Sequence, residues 1–145
     1  MSKSVSAFNT SIEAGVRVIA ILNAIHPQGI DFESLTKIDF IIINSSDFGG
    51  PKSLHPSTPN KIGEIASRRE IVRSGIELMR RFGMIDIELS YSGVNYKATV
   101  NASPYLKLMK CNYSKSLLIT AEWIARELRF NGFKKFNSTL SEMHN

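Results

Sequence analysis

Apolar and polar positions along the chain change period several times, and each change marks an element. Ile12, Gly15, Val16, Ile19, Leu22 and Asn23 recur at three- and four-residue spacing, which predicts a helix with a mostly apolar stripe. Thr10-Ser11-Ile12-Glu13 ahead of it reads as a capping box, in which a hydroxyl and a carboxylate satisfy free backbone N–H groups. Pro27 disfavours helical geometry at His26 and ends the helix nearby. Asp31 caps a second predicted helix over residues 32–44, with Leu35, Ile38, Phe40 and Ile42 as its apolar faces. The β-branched triplet Ile41–Ile42–Ile43 admits an extended end to that helix.

A third helix is predicted over residues 65–82, with Ile71, Val72, Gly75, Ile76, Met79 and Phe82 on one side and Gly83 as its stop. The period then drops to two. Ile85-Asp86-Ile87-Glu88-Leu89 and Val94-Asn95-Tyr96-Lys97-Ala98 alternate around Ser92-Gly93, which predicts a hairpin of half-buried strands. Ser103-Pro104 predicts a helix start with Ser103 as cap, and a last helix is predicted over residues 114–130. After Gly132 the composition is polar and predicts a mobile tail.

The fold class that follows is α+β and mostly helical: a winged-helix-like domain of three helices and a two-stranded hairpin, with C-terminal helices. Residues 10–130 read as that single domain, residues 1–9 as a flexible N-terminus and residues 131–145 as a polar tail. A length of 145 residues and 43% apolar content suit one domain with its own core. Residues 1–10 lack an apolar signal core, and the apolar stretches at 16–25 and 38–43 are much shorter than the ~20 residues that span a bilayer. With a single cysteine, Cys111, the expectation is a cytoplasmic protein in which that thiol is a small buried apolar group.

The polar residues form no catalytic or metal-binding pattern. His26, His55 and His144 are far apart and lack clustered Cys, Asp or Glu partners, so no metal or cofactor is expected. Gly49-Gly50-Pro51-Lys52-Ser53 departs from a phosphate loop, because Pro51 separates glycine from lysine and removes a donor. No base stands beside a nucleophile, and the chain reads as a non-enzyme.

Two features carry binding instead. The net charge of +5 is spread out, but residues 61–81 hold six Lys or Arg against three Glu. Arg69, Arg73 and Arg80 fall within about 40° of one another at 100° per residue. They are the DNA-contact candidates, with ion pairing to Glu70 and Glu77 as the alternative. The connector at residues 45–63 holds three glycines and three prolines and is far longer than an ordinary connection of roughly 4–6 residues. Its apolar members Phe48, Leu54 and Ile62 are directed either to the protein's own core or to a partner, since Pro/Gly-restricted loops bind with less ordering cost.

Phe8-Asn9-Thr10, Asp47-Phe48-Gly49-Gly50-Pro51-Lys52-Ser53-Leu54-His55-Pro56, Gly63-Glu64 and Arg68-Arg69-Glu70 together resemble the middle component of bacterial ABC-three-component systems, also known as Lamassu-type anti-phage and anti-plasmid defence systems. The resemblance spans residues 8–105, and Gly83-Met84-Ile85 with the hairpin fits it. It implies a non-catalytic adaptor that bridges or tunes an SMC/Rad50-like ATPase and an effector such as a nuclease, in a hetero-oligomer, with non-specific DNA contact open. The motif maps onto Phe48, Gly49, Gly50, Pro51, Ser53, Leu54, His55, Pro56, Gly63 and Glu64 as a structural or partner-interface element. A stand-alone winged-helix transcription regulator is the alternative function.

Overall fold

A computed structural model describes residues 10–54 and 61–144, with residues 61–66 and 144 described by backbone course alone. The expected N-terminal segment 1–9, His55 and Pro56, and the side chains of Ile62, Glu64 and His144 therefore lie outside the described residues. Among those described, six helices and one hairpin form a mostly helical α+β fold in the expected order.

Helix α1 (Ser11–Ala24) begins where the cap demands: the Thr10 hydroxyl accepts from the Glu13 N–H at 3.2 Å. From Ala14 to Leu22 only Val16 escapes full burial. The single stripe expected from the sequence is therefore too narrow, and its first member, Ile12, is 49% exposed. A helix apolar all round belongs in the middle of a core, and α1 packs against most of the elements around it. Helix α2 (Phe32–Ile43) starts at Asp31, whose carboxylate accepts from the Ser34 N–H at 3.3 Å. Ile41, Ile42 and Ile43 are helical and buried, not extended. The few tenths of a kcal/mol by which β-branching disfavours a helix are small beside the ~1.5–3 kcal/mol of burying each side chain.

Helix α3 (Lys61–Arg81) starts four residues before its expected position, so Gly63 and Glu64 belong to its first turn and not to the connector. It crosses α1 at a glycine pair: a Cβ on Gly75 would lie 2.6 Å from the Gly15 nitrogen. The two backbones are in contact there. Gly83, at φ 78°, closes α3, with Met84 N–H donating to Met79 C=O and Gly83 N–H to Arg80 C=O, both at 2.9 Å.

Strand β1 (Ile85–Ser90) pairs antiparallel with β2 (Gly93–Ala98), from Ile85 opposite Ala98 to Ser90 opposite Gly93. Ile30, between α1 and α2, bonds both backbone groups of Tyr96 on the outer edge of β2. Ile85 and Ala98 are buried at the base and Asn95, Tyr96 and Lys97 of β2 are half-buried, but β1 beyond Ile85 is exposed, with Leu89 at 77%.

Helix α4 (Ala102–Lys107) begins after Asn101, which makes no side-chain cap bond, so Ser103 and Pro104 lie inside its first turn instead of starting it. Proline is tolerated there because the first N–H groups of a helix have no intrahelical partner. Helix α5 (Asn112–Asn131) carries the last expected amphipathic face. Beyond Gly132 the chain forms α6 (Lys134–His144), where a polar tail was expected, and buries Phe136 and Leu140.

Candidate functional site

The connector after α2 is folded on itself. A 3-10 turn at Ser45–Phe48 leads into Gly49, whose left-handed φ of 80° reverses the chain. The Ser45 hydroxyl donates to the Pro51 carbonyl at 2.7 Å, and Gly50 N–H returns to the Ser45 carbonyl at 3.0 Å. Ser46 N–H donates to the Ser53 hydroxyl at 3.0 Å, and the two serine hydroxyls lie 2.6 Å apart. These bonds tie residues 45–46 to residues 50–53 across the turn.

Side chains then fix the loop to the body. Phe48 is buried edge-on between Phe40 (6.1 Å between centroids) and Phe136 (6.0 Å), and Phe136 meets Trp123 at 5.6 Å. Gly50 lies flat on the Trp123 indole, where an added Cβ would come within 2.5 Å of the ring. Leu54 is half-buried against the same core. Of the two destinations open to the apolar residues, Phe48 and Leu54 take the protein's own core. Ser46, Asp47, Gly49 and Lys52 form the exposed outer rim, with Pro51 and Ser53 half-buried behind them.

The three candidate arginines of α3, Arg69, Arg73 and Arg80, are all engaged within the domain. Arg69 forms an ion pair with Glu33 in the first turn of α2 and sits over the Phe32 ring. Hydrogen bonding to Glu33 holds the Arg69 guanidinium above its ordinary pKa. Arg73 stacks 4.3 Å from the centroid of the same ring and lies 3.9 Å from Glu70. Arg80 is paired with Glu77 at 2.8 Å. Arg69 and Arg73 thus converge on Phe32, whereas Arg80 stands about two turns away.

A buried ionic group joins α1, α2 and α3, and it is absent from the sequence reading. Arg17 Nε donates to Asp39 Oδ1 at 2.6 Å and Arg68 Nη1 donates to Asp39 Oδ2 at 3.3 Å, with the Arg17 and Asp39 side chains wholly buried. Burial works against the Arg17 charge, but Asp39 and Tyr113 together outweigh it and the guanidinium titrates above its ordinary range. Burial also pushes the neighbouring Tyr113 hydroxyl up, against the pull of Arg17. The signal in the sequence was a lone arginine inside an otherwise apolar run from Ala14 to Leu22.

Cys111 is exposed, contrary to its expected burial, because it occupies the cap position of α5 at the surface. Its Sγ lies 3.2 Å from the Ser114 hydroxyl, and that hydrogen bond lowers the thiol pKa. His26 lines a half-open cavity of about 340 Å³ between the end of α1 and the α5–α6 corner, with Arg129 and Phe133 opposite. Among the described residues no group of three or more His, Cys, Asp or Glu converges as a metal site, and no helix is long and apolar enough to cross a membrane.

Together these features define a small, mostly helical α+β domain whose one elaborated loop is braced from within. Comparison with known families names it further. The chain belongs to the ABC-three component (ABC-3C) system Middle Component 2 family, whose model matches residues 7–145, and so it is a component of a multi-part system. That match extends the resemblance through α5 and α6, beyond the residues that first carried it. No curated protein and no solved structure matches the chain.

Proposed function

We propose that the protein is a non-catalytic, cytoplasmic adaptor that links an SMC/Rad50-like ATPase to an effector such as a nuclease, in a Lamassu-type defence complex against phage and plasmid. The observation that carries this reading is the braced loop. Its conformation is set by its own hydrogen bonds and by Phe48 and Gly50 against the aromatic cluster, so a partner meets a surface already ordered. In this reading Phe48, Gly50 and Leu54 hold the loop, while Gly49, Pro51 and Ser53 shape the surface offered. Family membership supports a role among several components.

The test is coexpression with the neighbouring genes, affinity purification and mass determination of the eluted species. The expected result is a stable complex containing the ATPase, with no ATPase or nuclease activity in the purified chain alone. Loss of the complex on charge-altering Asp47→Lys, in a protein whose thermal melting is unchanged, would assign the rim to the interface. Failure of the unaltered chain to associate would remove the adaptor reading.

A winged-helix-like arrangement is the second reading, favoured by the α1–α2–α3–hairpin order and by the isolated Ile30–Tyr96 bridge on the outer edge of β2. DNA contact through Arg69, Arg73 and Arg80 would then require exchanging Glu33 and Glu77 for phosphate. Electrophoretic shifts on duplex DNA at low and moderate salt test it, and no binding at low salt ends it.

A further inference from the structure

Beyond Tyr96, which packs on the core, the hairpin carries an apolar face that the domain does not cover. In an antiparallel pair the residues directly opposite one another share a face, so Ile87 and Tyr96, and then Leu89 and Val94, continue outward from the buried Ile85–Ala98 base. Leu89 is 77% exposed, Val94 42% and Ile87 40%, and Tyr91 at the turn is fully exposed. Single exposed apolar residues are ordinary, but a row of them on one face of a projecting hairpin is not.

The backbone along the same strand has a free edge. Tyr96 gives both its N–H and C=O to Ile30, pointing away from β1, so Ile87 opposite it is a non-hydrogen-bonded partner within the ladder. By alternation Ile87 and Leu89 turn their N–H and C=O groups to the outer edge of β1. Among the described residues no strand or loop pairs with that edge. Natural edges are commonly blunted by charge, proline or a bulge; β1 has neither proline nor bulge, and its two charges, Asp86 and Glu88, are both acidic.

Charge decides what fits. The opposite face of β1 carries Asp86 and Glu88, both exposed, with Lys97 the one cation opposite, 3.8 Å from Glu88. A second copy of this chain is disfavoured. Antiparallel pairing that sets Ile87 against Leu89 places Glu88 against Glu88, and pairing that sets Ile87 against itself places Asp86 against Glu88. These acid pairs would fall at non-hydrogen-bonded positions, where side chains are closest.

We propose that the outer edge of β1 is a docking site for an extended segment of another protein, added as a strand, whose residues alternate between apolar side chains over Ile87 and Leu89 and Lys or Arg over Asp86 and Glu88. Main-chain bonds to Ile87 and Leu89 supply affinity, and the apolar–basic alternation supplies selectivity. The site is separate from the connector loop and rests on the multi-component reading only for the source of the segment.

The probe is an end-blocked seven-residue peptide alternating valine and lysine, titrated into the full chain and followed by amide NMR, with a valine–glutamate peptide as control. Binding of the lysine peptide, with slowed hydrogen exchange at the Ile87 and Leu89 amides, is the expected result. Leu89→Pro removes an outward N–H without removing a bond to β2, and should abolish that binding. Asp86→Lys with Glu88→Lys should reverse the preference, by about fivefold for each position changed. Equal binding of both peptides, binding of neither, or shifts confined to other elements would overturn the proposal. If Leu89→Pro does not fold, the charge-reversed protein decides the question. In coexpressed complexes, assembly that is unaffected by either variant would defeat this inference and leave the adaptor reading standing. Absence of assembly by the unaltered chain would defeat the adaptor reading, while the peptide result still judges the edge.

Discussion

Asp39→Asn should be among the most damaging single-atom changes available in this protein. The Asp39 carboxylate is 1% exposed and accepts from Arg17 at 2.6 Å and Arg68 at 3.3 Å. The amide keeps the shape but removes the negative charge, so the wholly buried Arg17 guanidinium loses this carboxylate as counter-ion. Breaking a buried pair from one side costs about 3–5 kcal/mol, against a total stability of about 5–15 kcal/mol for a domain of this kind. At about 2–4 °C per kcal/mol for a chain of this length, the melting temperature should fall by roughly 10 °C. Urea unfolding followed by circular dichroism and by Trp123 fluorescence measures the loss directly. Arg17→Met combined with Asp39→Leu should cost less than the sum of the two single changes, since it removes both charges together. A loss below ~1 kcal/mol for Asp39→Asn, or strict additivity in the double variant, would refute the view that this ionic group fastens α1 and α3 to α2.

Gly75→Ala should destabilise by about 1–3 kcal/mol, although alanine is the better helix former, because its Cβ would meet the Gly15 backbone at 2.6 Å; an unchanged or raised urea midpoint would contradict the contact. Tyr113 titrates above its ordinary value in the folded protein, chiefly through burial, so its contribution is fully present below the unfolded pKa of ~10 and is lost as pH rises through the folded pKa. Stability should therefore fall above about pH 10, and Tyr113→Phe should flatten that fall in unfolding measured across alkaline pH. Cys111 should be alkylated by iodoacetamide with a pH midpoint below that of a free thiol, because of its hydrogen bond with Ser114; Ser114→Ala should move the midpoint up, and no movement would assign the shift elsewhere.

Local chemistry was legible in the sequence wherever one residue decides the outcome. The Thr10 and Asp31 caps lie where their side chains and the following apolar periods put them. The hairpin follows from strict alternation, and Gly83 ends α3 as expected. What escaped depends on neighbours distant in the chain. Apolar periodicity marks one face of α1, but the helix is enclosed on several sides, so Arg17 and its partner Asp39 were not distinguished from surface charges. Cys111 looked like a core residue by type, yet its position is set by the start of α5. The last helix was read as a tail because it is polar overall, although Phe133, Phe136, Leu140 and Met143 recur at three- and four-residue spacing and all pack on the core. At the candidate loop the motif was visible and the core was one of two destinations open to Phe48, but the choice between them and the seat of Gly50 were not legible, because they depend on Phe136 and Trp123 from the far end of the domain.

That long-range contact orders events in time as well as in space. Phe48 finds its ring partner 88 positions later in the chain, at Phe136. During synthesis, residues 45–54 therefore leave the ribosome well before the side chains that brace them. Until α6 has been made and folded back, Gly50 and Phe48 lack part of their final surroundings, and the rim formed by Asp47 and Gly49 is held by the loop's own hydrogen bonds alone. A partner that recognises the finished rim would thus bind completed molecules and pass over nascent ones, so the aromatic cluster doubles as a check on completion.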